Sequence, residues 1–155
     1  MVLTRVFSLT VLAGSMLWMN ASSAMAQDES IARRQKLMKG FSATAKEVKA
    51  AVEKKDYAVV AVKVKDLADG LDMAAFAKHW PHNSTDAKSR AKPEVWQKWN
   101  DFMLTAWDGQ QRALALVDAA NSKNDTKVAE AYKGFGPVCV ECHKSFRAEA
   151  AKSAK

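Results

Sequence analysis

The segment GFGPVCVECHKSF, residues 134–146, contains both cysteines of the chain, Cys139 and Cys142, and His143 follows directly. On a helix, residues three apart lie on one face, so the two thiols project together and the imidazole stands at the same edge. Cys-x-x-Cys-His is the attachment sequence for c-type haem. Each thiol adds across a vinyl group to give a thioether, and the histidine becomes the proximal iron ligand. The expected cofactor is therefore one covalent haem c with its iron, bound by Cys139, Cys142 and His143. Three other chemistries use the same residues. A thioredoxin-like pair needs a βαβ setting, and no segment here reads as a strand. A zinc site needs four ligands, and only His79 and His82 remain to complete it. A disulfide suits an exported chain but gives His143 no role.

The elements that must position this motif all show helical periodicity. A first stripe runs Ile31, Arg34, Met38, Phe41, Ala45, Val48, Val52, in steps of three and four. A second runs Tyr57, Val60, Val64, Leu67, Leu71, Ala74. After the polar connection HWPHNSTDAKSRAK, Pro93 suits the first turn of a third helix, with the stripe Trp96, Trp99, Met103, Ala106, Gln110, Ala113, Val117. A fourth stripe runs Val128, Tyr132, Phe135, Cys139, Cys142, Phe146. Four amphipathic helices with short links imply an all-α, antiparallel four-helix bundle with the haem near the C-terminus. Pro137 lacks an N–H and crowds the preceding turn, so a break or kink is expected at residues 134–136. The tryptophans of the third helix read as core packing, with Trp96 a candidate for porphyrin contact.

The first 26 residues read as a cleaved export signal: Arg5 supplies a positive start, Val6 to Met19 an apolar run, and Ala24 and Ala26 a small-residue cleavage site before Gln27. The domain proper is then 27–155, exported to the periplasm with no membrane span after signal removal. It carries 23 Lys+Arg against 17 Asp+Glu. A basic surface suits acidic redox partners, and export argues against nucleic acid.

Three blocks resemble the class II cytochromes c, a family that includes the high-spin cytochromes c' and their low-spin relatives. RRQKLMKG is similar to the family's first-helix block, AKPEVW to its third-helix block, and CVECHKSFR to its terminal haem block. The resemblance implies that Arg34 and Gln35 lie beside the haem propionates and that Arg147, one turn after His143, lies near the haem edge. It places Met38 on the distal side of the iron, where low-spin members supply a thioether ligand. The expectation is a non-enzymatic one-electron carrier with His143 and Met38 as axial ligands. The alternative is a five-coordinate, high-spin iron that binds NO or CO, with Met38 as a gate. Peroxidase chemistry is disfavoured because the RRQKLMKGFSA stretch offers no buried acid or base beyond Arg34. The resemblance allows a monomer or a homodimer.

Overall fold

A computed structural model describes residues 15–82, 84 and 88–149, with side chains from residue 25 onward. Its helices are α1 (Ser15–Glu53), α2 (Tyr57–Gly70), α3 (Met73–Ala77), α4 (Glu94–Gln97), α5 (Trp99–Asn121) and α6 (Asp125–Phe146). The four long helices form the expected bundle. Packing runs from α1 to α2, from α2 to α5 and from α5 to α6. The first fourteen residues of the export segment lie outside the described residues, and α1 passes through the expected cleavage point at Ala26–Gln27. Among the described residues, no helix is long and apolar enough to cross a membrane.

Side-chain caps and tight turns fix the helix ends. Asp56 accepts from the backbone N–H of Val59 at the start of α2, Asp72 from Ala74 and Ala75 at the start of α3, and Asn124 from Lys127 at the start of α6. Lys55 and Lys123, in the two short links, adopt positive φ (56° and 52°), the conformation that ends a helix sharply.

The core has two parts. One, at the end where α1 turns into α2, is built on Val48, Val60, Val64, Leu116, Val128 and Phe135. The other joins Phe76, Val95, Phe102, Met103, Ala106 and Phe146 at the end that holds the haem motif. Phe102 is central to this second cluster, edge-on to Trp80 (4.8 Å between centroids) and to Phe146 (5.1 Å).

Three local expectations are corrected. The second stripe does not continue to Ala74: α2 stops at Gly70, Asp72 starts a new short helix, and Ala74 is exposed. The third helix is interrupted at Lys98, which leaves the helical region (φ −119°, ψ 47°), so that the short α4 buries Val95 before α5 begins. Pro137 does not break α6, which runs unbroken from Asp125 to Phe146. The ring deprives the carbonyl four residues back, that of Lys133, of its helical donor. Both residues are exposed, so water can reach that carbonyl.

Candidate functional site

Between α6 and α1 the bundle opens into a cavity of about 620 Å³. Cys142, His143, Phe146 and Arg147 line it from the last turns of α6, and Ile31, Arg34, Gln35, Met38, Lys39 and Ser42 from α1. Trp80, Phe102 and the segment Lys88 to Ala91 complete the wall. The geometry thus brings together Cys142, His143, Met38, Arg34, Gln35 and Arg147, residues that lie more than a hundred positions apart in sequence. Cys139 lies one helical turn before Cys142 and is exposed, outside the cavity lining, and Val138 occupies the core position next to it. His79, His82 and Trp96 do not line the cavity.

Burial shifts the groups of the motif. Burial, reinforced by the neighbouring Cys139, pushes the Cys142 thiol up to about 11, so it stays protonated at neutral pH. Partial burial, with Arg147 and Arg90 nearby, holds the His143 imidazole below its ordinary value. A neutral imidazole keeps the lone pair that a metal needs.

The wall chemistry fits a haem. Ile31, Met38, Trp80, Phe102 and Phe146 offer apolar surface to a flat macrocycle, while Lys39, Lys88, Arg90 and Arg147 surround it with cations that suit its carboxylates. Trp80, which lines the cavity, buries its Nε1 with no hydrogen-bond partner among the described residues.

The two residues expected beside the propionates line the cavity and also hold the neighbouring connection. Arg34, only 4% exposed, donates from Nη1 to Ser84 Oγ (2.6 Å) and to the carbonyl of His79 (3.2 Å), and from Nη2 to the carbonyl of Ser84 and to Ser89 Oγ (3.3 Å). Gln35 Nε2 donates to the carbonyl of Lys88 (3.1 Å). Arg147 is exposed and ends α6, its backbone N–H bonded to the carbonyl of His143 (3.0 Å). An isolated antiparallel bridge pairs it with Ala91. Sequence reasoning missed Trp80, Phe102, Phe146, Lys39, Lys88 and Arg90 as wall residues. The only available signal was the apolar stripe that contains Phe146.

Comparison with known proteins gives a consistent result. The family described as Cytochrome C' matches residues 29–147. A cytochrome c' from Rhodospirillum rubrum is 30% identical over 63 residues, 41% of this chain and 43% of that protein, so the match spans less than half of the relative's length. The solved cytochrome c' from Thermochromatium tepidum superimposes with a TM-score of 0.70 at 25% identity, covering 79% of this chain and 97% of its own. A nitric oxide complex of a cytochrome c' variant from Alcaligenes xylosoxidans has the same fold, with a TM-score of 0.70 at 19% identity over 80% of this chain and 97% of its own.

These matches correct the expectation of a His143/Met38-ligated electron carrier, because they point to the cytochromes c' and not to the low-spin branch. The physical account of Met38 changes with them. It is half-buried and packs against the cluster around Phe102 and Phe146, where a flexible thioether serves as apolar filler.

Proposed function

Because the chain belongs to the cytochrome c' family, we propose that it is a periplasmic c-type haem protein in which His143 is the protein's one ligand to the iron and the Met38 side of the cavity receives a small neutral diatomic molecule such as NO or CO. The haem iron supplies an open coordination position when bound. Cys139 and Cys142 hold the macrocycle by thioether bonds, and His143, held neutral by its surroundings, provides the nitrogen ligand. The observation that carries the reading is the apolar patch on the α1 side of the cavity, set among the polar Arg34, Gln35, Lys39 and Ser42. Ile31 and Met38 line the cavity there, and Phe102 adjoins them from α5. A neutral diatomic gives up little hydration on entering such a wall, whereas an anion or a peroxide gives up much more.

The same wall supports a binder over an enzyme. Within the apolar patch Ile31, Met38 and Phe102 neither donate nor accept a proton, with Gln35, Lys39 and Ser42 at its margin and Arg34 donating to Ser84, His79 and Ser89. The positive start, apolar run and Ala24–Ala26 site support export.

Optical and EPR spectra of the purified holoprotein test the reading. The expected result is a high-spin ferric signal and a ferrous spectrum that shifts when CO or NO is added. A low-spin ferric signal with no change on adding either gas would overturn it.

A further inference from the structure

The connection between α3 and α4 forms one side of the haem cavity, yet it has little core of its own. One side chain of α1 contacts it at three points, while main-chain bonds hold its residues 90–92. Arg34 reaches across 45 to 55 positions of sequence to grip the connection at His79, Ser84 and Ser89. Its guanidinium also lies over the ring of Trp80, 5.0 Å from the centroid, and 5.8 Å from that of Trp96. The gripped residues are tied to each other: Ser84 Oγ donates to the carbonyl of Pro81 (2.7 Å), which also accepts from Trp96 Nε1 (2.9 Å). Gln35 extends the same seam to Lys88, whose Nζ pairs with Asp28 of α1 (2.9 Å). Trp80, Lys88 and Ser89, held in this way, face the cavity.

We propose that Arg34 is a positioning residue: it acts on the haem pocket by fixing the wall made of Trp80, Lys88 and Ser89. The planar fork is what the geometry uses, since both terminal nitrogens are shared between two acceptors and the guanidinium face rests on indole. A lysine ammonium keeps the charge but cannot reproduce the fork or the stacking. The inference rests on the haem-pocket reading above, and it separates from that reading by experiment.

The test is amide hydrogen exchange on the ferric holoprotein, with Arg34→Gln and Arg34→Lys compared with the parent, together with the haem circular dichroism in the Soret region. In both variants, exchange is expected to rise at least tenfold at Ser84, Lys88 and Ser89, with the core amides of Val64 and Leu116 unchanged, and the Soret dichroism is expected to change in both. Two results would overturn the proposal: unchanged exchange at those sites, or a defect in Arg34→Gln that Arg34→Lys restores, the signature of simple charge. A uniform rise that includes Val64 and Leu116 would reduce Arg34 to a general stability residue and also overturn it. If neither variant folds, the double substitution Ser84→Ala with Ser89→Ala removes two of the four acceptors and leaves Arg34 in place. It must still raise exchange locally, and no rise there counts against the proposal. Gas binding plays no part in these readouts, so a parent protein that ignores CO would defeat the functional reading without moving this result.

Discussion

Tyr57 and Asp125, 68 residues apart in sequence, meet at one end of the bundle, where the phenol donates to Asp125 Oδ1 at 2.8 Å. The other carboxylate oxygen of Asp125 accepts from Lys55 Nζ. The contact ties the turn between α1 and α2 to the first turn of α6, and it also places a carboxylate at a helix N-terminus, where negative charge is favoured. The hydrogen bonds from Lys55 and Tyr57 hold the Asp125 carboxyl below its ordinary value of 3.8. A depressed carboxylate stabilises the fold above its unfolded pKa, and the contribution disappears as pH falls through the lower, folded value. The urea midpoint of Asp125→Asn is therefore expected to lie below that of the parent at pH 7, with the gap narrowing as the pH falls below 3.8. A gap independent of pH would show that the contact does not act through charge.

His79 gives a dependence of the same sign at higher pH. Burial first, then the charges of Arg33 and Arg34, keep its imidazole below its ordinary value of 6.5, and Nδ1 has no hydrogen-bond partner. The native state thus holds the ring neutral while the unfolded chain protonates it. Between the two pKa values the unfolded state binds more protons, so stability falls as pH drops through 6.5 and levels off below the folded value. In urea titrations from pH 8 to pH 5, His79→Gln is expected to flatten this slope. An unchanged slope would assign the dependence to another group.

Gly70 ends α2 against the ring of Phe41. A Cβ at this position would stand 2.5 Å from Phe41 Cε1 and 2.8 Å from Cζ. Although alanine favours helices, Gly70→Ala is expected to destabilise the protein by about 1–3 kcal/mol, because the ring must move within a packed interior. Gly40→Ala, with nothing within 4 Å of its Cβ, is the control and should be neutral or stabilising. Chemical denaturation of both variants decides the matter.

Met38 lines the cavity as packing material, so Met38→Ala is expected to leave the resting ferric spectrum unchanged. The CO association rate should rise by about tenfold, a barrier change of about 1.4 kcal/mol. Stopped-flow mixing of the ferrous protein with CO measures it. A rate that is unaffected would remove Met38 from the path of entry.

The bundle was legible because its buried positions recur at helical spacing: Val48, Val60, Val64, Val128, Phe135 and Phe146 all lie where the stripes place them. The haem ligands were legible because covalent attachment demands adjacent residues. What periodicity could not show were the breaks at Asp72 and Lys98, which serve the burial of Phe76 and Val95; the first is marked locally by Gly70 and the capping Asp72, the second by no capping side chain. Nor could it show the partners of Arg34. The sequence marks Arg34 only as a charge on an apolar stripe, and its acceptors lie 45 to 55 positions away in a polar stretch without periodicity. Trp80 escaped notice for the same reason.

The other side of the cavity is closed by different means. Lys92 N–H donates to the carbonyl of Phe146 (3.0 Å), Ala148 N–H to that of Arg90 (2.8 Å), and Ala91 pairs with Arg147. These are main-chain bonds, indifferent to the side chains that hang from them. One flank of the pocket therefore depends on the side chain of Arg34, while the seam on the opposite flank runs through the main chain and excludes proline at 92 and 148, where the missing N–H would undo it.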